Sequence, residues 1–158
     1  MRGVSPLNKE FEEIIYPYIN NKTYLKLKNY RHHNTTRLNH LYNVAVYSYW
    51  IGKKLNLFCD VDFESLLAGA LLHDFYFVKQ KEESTSIYWI THCKLAEENA
   101  IKHFDISEKE RNIILAHMFP LAKHLPKSKE AWIVSIADKW SALLERCFNK
   151  NYPVPALN

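Results

Sequence analysis

Apolar residues recur along this chain at steps of three and four almost from end to end, the spacing of helices that bury one face. Near the start, Ser5-Pro6 supplies an N-cap and a proline at the first helical position, and Leu7, Phe11, Ile14, Ile15 and Tyr18 mark one face. The pattern predicts a short helix over 22–30, a loop over 31–35, and a long helix over about 36–56 with Leu41, Val44, Ala45, Tyr47, Ser48 and Ile51 inward. Asp60 or Asp62 is placed to cap the next helix, which carries Leu66, Leu67, Ala70 and Leu71 and ends near Phe75. Residues 78–90 read as a polar loop, and Thr91 as the cap of a helix reaching Phe104. Ser107 and Glu110 form the two ends of a capping box for a helix to about Phe119. Pro120 and Pro126 bracket a connection, a last helix covers about 129–148, and the tail with Pro153 and Pro155 is non-helical. The expectation is one all-α domain without internal repeats.

Composition narrows the chemistry. Only three of 158 residues are glycine, so a glycine-rich phosphate loop and a GxGxxG turn are excluded. Eight histidines stand against that shortage. The net charge of +4 is unevenly spread: no Asp or Glu falls between Ile14 and Cys59, where Lys22, Lys26, Lys28, Arg31, Arg37, Lys53 and Lys54 lie. Such a positive lobe favours anionic partners such as phosphates, nucleotides or nucleic acid. No basic stripe or reading helix supports nucleic acid as a partner. Cys59, Cys93 and Cys147 are widely spaced and form no CxxC, which fits free thiols in a reducing compartment. No apolar run approaches membrane-spanning length and the N-terminus lacks a signal-peptide core, so a soluble cytoplasmic protein without a membrane partner is expected.

The candidate chemistry lies on the helices. His40 shares a stripe with Val44, Tyr47 and Ile51, so it points inward. His73 and Asp74 end the most hydrophobic helix, and Asp138 follows Ile133-Val134-Ser135-Ile136-Ala137 on the last one. A buried carboxylate in such settings needs a cation or several donors. His92 shares a face with Leu95, Ala96 and Asn99, and His117 one with Ile113 and Ile114. Imidazoles with carboxylates suit borderline or hard divalent cations, and with no HExxH spacing the ligands must converge from different helices.

The order His40, His73-Asp74, Asp138 resembles the HD-domain superfamily of metal-dependent phosphohydrolases, named for the adjacent His-Asp pair. The stretches RLNHLYNVAVYSYWIGKKLNL, LLAGALLHDFYF, THCKLAEENAIKHF, ILAHMFPL and WIVSIADKWSALLE follow, in order, the blocks of small bacterial HD proteins, over about 31–148. The resemblance implies an all-α bundle of six to seven helices. It makes residues 1–158 a single HD domain, with 1–30 packed on the core and 149–158 a tail. It implies two divalent transition-metal ions, iron or manganese first, with zinc, nickel, cobalt or magnesium as alternatives. Their ligands would be His40, His73, Asp74, His92, His117 and Asp138, with Asp74 bridging and the His73-Asp74 pair central to catalysis. Phe75-Tyr76-Phe77-Val78 follows the pair where hydrolases of guanosine tetraphosphate carry acidic residues, which argues against that substrate. The register of Lys79 disfavours the cyclic-dinucleotide subclass.

The resulting reading is phosphomonoester or phosphodiester hydrolysis of a nucleotide or another small phosphorylated substrate. Arg37, three residues before His40 and so on the same face, is the expected phosphate clamp, with His33 and Lys79 as further contacts. Lys139, offset by about 100° from Asp138, is expected to face solvent. Two alternatives remain: a mixed-valence di-iron oxygenase acting on an anionic substrate such as a phosphonate, and a non-catalytic nucleotide-binding module. A homodimer is compatible with each.

Overall fold

The architecture follows from one helix that has no polar face. In the computed structural model, which describes residues 9–78 and 88–155 and the side chains of all of these but 88–90, α4 (Phe63–Leu72) is buried from Ser65 to Leu72. Its sequence, FESLLAGALL, is apolar on every side, and a helix of that kind is stable only when neighbours surround it. They are α1 (Lys9–Ile19), α3 (Arg37–Leu55), α6 (Glu108–Ala116) and α7 (Lys129–Phe148). α2 (Lys22–Leu25) is tied on by Tyr24, whose hydroxyl donates to the Leu71 carbonyl at 2.9 Å. α5 (Tyr88–His103) packs against α6 and α4. Among the described residues there are seven α-helices and a single two-stranded hairpin, β1 (Arg31–His32) against β2 (Thr35–Thr36). The all-α expectation is correct.

Two of the three glycines allow these helices to approach. A Cβ on Gly69 would lie 2.4 Å from Ile113 Cγ2, so α4 and α6 meet at backbone distance. A Cβ on Gly52 would lie 2.9 Å from Leu66 Cδ2 where α3 crosses α4. The few glycines therefore serve helix contact, not turns.

Helix starts follow their caps. Thr36 accepts from Asn39 N at α3, Asp62 rather than Asp60 accepts from Ser65 N at α4, and Ser107–Glu110 closes the capping box of α6. Other boundaries differ from expectation. The segment 22–30 is helical only to Leu25 and tightens to a 3₁₀ turn over Lys26–Asn29, with Tyr24 and Leu27 both buried in the core. The loop expected over 31–35 holds the short hairpin, with His33 in the left-handed region at φ 50°. α5 begins at Tyr88, so Thr91 lies inside the helix and does not cap it. α6 stops at Ala116, three residues short of Phe119, because Pro120 disfavours helical backbone at the residue before it. The Ser5-Pro6 start lies outside the described residues.

Candidate metal centre

His73 and His117 use one local device. Each is the C-cap residue of its helix, and each Nδ1–H donates to the carbonyl three residues back, Ala70 at 2.8 Å and Ile114 at 2.7 Å. A helix end leaves such carbonyls without partners, so the imidazole satisfies one of them. The same bond fixes the tautomer: the proton sits on Nδ1, and the Nε2 lone pair faces away from the helix end. For both residues that direction is the interior, where the two rings meet edge to face at 4.7 Å.

Asp74, the residue after His73, places its carboxylate in this cluster. Oδ1 lies 3.4 Å from His92 Nε2 and 3.5 Å from His117 Nε2, and Oδ2 lies 4.0 Å from His73 Nε2 and 3.9 Å from His32 Nδ1. Burial alone would raise the Asp74 pKa. The imidazoles of His73, His92, His117 and His32 overcome it and hold the carboxyl well below the usual range. His117 is lowered as well, to about 3, through burial and the neighbouring His73, which keeps its imidazole neutral. At neutral pH the cluster is thus a carboxylate facing neutral His117. His73 Nε2 and Asp74 Oδ1 are fully buried and have no hydrogen-bond partner. Buried polar atoms left in that state are costly, and a divalent cation between them is the partner their chemistry fits.

On the far side of His73 stands a second arrangement. His40, from the first turns of α3, has Nε2 3.1 Å from Asp138 Oδ1 and Nδ1 3.0 Å from Glu145 Oε2. Asp138 Oδ1 is also 3.6 Å from His73 Nε2. Burial would depress His40, but its bonds to Asp138 and Glu145 reverse this and push its pKa up to about 10. Burial would likewise raise Asp138, whose contacts with His40 and His73 keep it well below the usual carboxylate value. Without metal, a proton on His40 lets the ring bridge the two carboxylates beside it and offsets one of their two charges. His40, His73 and Asp138 present atoms within 4.8 Å of one another, as do His73, Asp74 and His117. The six residues expected from the sequence therefore converge in two adjoining groups, with Asp74 presenting one oxygen toward each side.

Three nearby residues were not foreseen as site residues. Glu145, fully buried, accepts from His40 Nδ1, from Asn43 Nδ2 at 2.8 Å and from Ser141 Oγ at 2.7 Å. A polar i, i+3, i+7 stripe of Asp138, Ser141 and Glu145 on an apolar helix was its signal. His32 stacks on His40 at 4.1 Å, and its position depends on a hairpin that periodicity does not reveal. Cys93 is buried with Sγ 3.8 Å from His92 Nε2, and burial next to Asp74 raises its thiol to about 12.

The residues expected to contact substrate occupy different settings. Arg37 is fully buried and not a surface clamp: Nη1 donates to the carbonyls of Tyr76 at 2.7 Å and Val78 at 3.3 Å, and its guanidinium lies 3.8 Å over the Tyr76 ring. It faces the site side of α3, as its spacing requires, but its charge holds the chain that follows the His73-Asp74 pair. His33 is held near neutral Arg-accepting form: burial and Arg146 lower its pKa to about 4, and Arg146 Nη2 lies 3.0 Å from its Nδ1. Lys139 is exposed, as expected, while its ammonium turns back to donate to the His117 carbonyl at 2.9 Å and to Ser135 Oγ at 2.8 Å, across the C-terminal end of α6. Lys53 and Lys54, at the far end of α3, are about 20 Å from His40 along the helix, so the positive lobe does not surround the site as a whole. Lys79 lies outside the described residues.

No helix among the described residues is long and apolar enough to cross a membrane. No curated protein and no solved structure matches this chain. The model of the HD domain family does, over residues 37–143, from the first residue of α3 to the late turns of α7. That span is more than half of the 158 residues and contains His40, His73, Asp74, His92, His117 and Asp138. The chain belongs to the HD domain family.

Proposed function

We propose that this protein is a metal-dependent phosphohydrolase acting on a small phosphorylated substrate, of which a nucleotide is the leading candidate. The observation that carries the reading is the pair of orphaned atoms, His73 Nε2 and Asp74 Oδ1, enclosed by further imidazoles and a second carboxylate. HD domains bind divalent metals, and the family consists largely of phosphohydrolases. His40, His73, Asp74 and Asp138 would hold one ion, and Asp74, His92 and His117 a second. Bound there, the ions supply Lewis acidity that polarises a phosphoryl oxygen and acidifies a water.

The remaining work belongs to side chains of this protein. Glu145 orients the His40 ring through Nδ1 and leaves Nε2 aimed at Asp138. The Ala70 and Ile114 carbonyls do the same for His73 and His117. Asp74, kept anionic by its imidazole neighbours, needs no proton loss before it binds a cation. Arg146 stands beside the hairpin that bears His32 and His33, and supplies an exposed cation for a phosphate group. This role replaces the one expected of Arg37.

The test is metal content followed by turnover. Protein expressed with abundant iron and manganese should carry close to two ions per chain, and Asp74→Ala should lose most of both. The loaded protein should then release phosphate from a panel of nucleotides and phosphomonoesters equally well with and without oxygen. Metal content near zero, or turnover that requires oxygen, would overturn the proposal.

A further inference from the structure

The outward face of α7 is apolar along its length. Trp132, Ile136, Trp140 and Leu143 are 46%, 55%, 51% and 49% exposed, and Cys147 continues the row. Their steps of four, four, three and four residues keep them on one stripe, opposite the buried Val134, Ala137, Asp138, Ser141 and Glu145. Between Lys129 and Cys147 the exposed charged residues of α7, Lys139 and Arg146, lie along one edge of it. On its flank Lys139 turns its ammonium back onto Ser135 and His117, and Arg146 is engaged with His33. An outer helix face on a solitary domain is ordinarily its polar face. Here both faces of α7 are built to be covered.

We propose that a second copy of this chain covers the stripe, with the two α7 helices antiparallel across a two-fold axis near residue 138. The occupant follows from size and from register. At about half exposure, two tryptophans and two aliphatic side chains leave roughly 400 Å² of apolar surface per copy. Two copies thus remove roughly 800 Å² through these four residues alone, and the stems of Lys129, Lys139 and Cys147 at the margins bring the total toward the ~1,200 Å² at which stable interfaces begin. Antiparallel pairing sets Trp132 against Leu143 and Ile136 against Trp140, an aromatic against an aliphatic at each step. Parallel pairing would set each tryptophan on its own copy and leave gaps at Ile136. A two-fold interface must be self-complementary, and the antiparallel register meets this by pairing unlike side chains at every step. The outward stripe then braces the helix whose inward face carries Asp138 and Glu145.

Sedimentation of the full metal-loaded chain from about 1 to about 100 µM tests this, since a dimer's population follows concentration. The expected mass at the upper concentration is twice 18.7 kDa. Trp140→Glu and, separately, Leu143→Lys should each give the single-chain mass with unchanged far-ultraviolet circular dichroism. In a background of Cys59→Ser and Cys147→Ser, mixing Ile136→Cys protein with Trp140→Cys protein under oxidation should yield the mixed cross-linked dimer. A wild-type chain that stays at single mass, or a dimer that survives both folded variants, overturns the proposal. Cross-linking of Ile136→Cys with itself alone overturns the antiparallel register.

Discussion

Replacing Glu145 by glutamine tests the logic of the centre without touching any residue expected to hold metal. Glu145 makes three hydrogen bonds, to His40 Nδ1, Asn43 Nδ2 and Ser141 Oγ, in a fully buried position. Glutamine has nearly the same volume but no charge, and its NH₂ would confront donors where the carboxylate accepted. A carboxylate behind a metal-binding histidine typically contributes 10–100-fold in affinity, which is about 1.4–2.7 kcal/mol. Losing the bond to an ionised His40 should cost the metal-free protein roughly 1.5–3 kcal/mol as well. Glu145→Gln should therefore bind metal 10- to 100-fold more weakly in chelator competition and melt lower when metal-free, with helical content unchanged. It should also release fewer protons on metal uptake, because His40 loses one of the two acceptors that raise its pKa to about 10. Metal affinity within twofold of the unaltered protein would refute the assignment of Glu145 as the residue that positions His40.

Gly69→Ala forces a methyl into Ile113, so a loss of about 1–3 kcal/mol is expected in denaturant unfolding, partly restored by Ile113→Ala, which removes the clashing Cγ2. Arg37→Met should lower stability by about 1.5–3 kcal/mol through the lost bonds to Tyr76 and Val78. A raised KM with stability intact would return Arg37 to the role of phosphate clamp. The metal-free protein should be most stable near pH 6.5 by thermal melting, because His33 and His117, lowered to about 4 and about 3, stay neutral in the folded chain while the unfolded chain takes up protons below pH 6.5. His40, with its pKa raised from 6.5 to about 10, contributes fully below pH 6.5 and loses that contribution as pH rises toward 10; Asp138, depressed below 3.8, loses its contribution as pH falls. Bound metal replaces the His40 proton, so loading should flatten the alkaline decline.

The residues that could be read from the sequence are those whose burial follows from helical period alone. His40 lies in an apolar stripe and Asp138 follows an apolar run, so inwardness is a local property and a buried charge stands out at once. Arg37 shows where that reasoning stops. Its spacing from His40 correctly put it on the same face, but whether a guanidinium meets a ligand or the chain's own carbonyls depends on the path of residues 76–78, which no period encodes. The same holds for His32, delivered by a hairpin with His33 at positive φ, and for Lys139, whose stem is long enough to bend back over α6.

Scarcity of glycine takes on a definite meaning in this light. A phosphate loop presents backbone N–H groups and needs glycine to do so. In this chain the candidate binding atoms are side-chain nitrogens and oxygens carried on helices and at their ends, and the backbone's part is to accept: the Ala70 and Ile114 carbonyls fix the imidazoles of His73 and His117. Such a site tolerates no slack, because each lone pair is aimed by a helix that must not rotate. Gly69 at the α4–α6 crossing gives α4 its close contact with the helix that His117 caps, so it helps set the spacing between His73-Asp74 and His117. Histidines supply the donors, and the glycine at the crossing lets their helices come close enough to share Asp74.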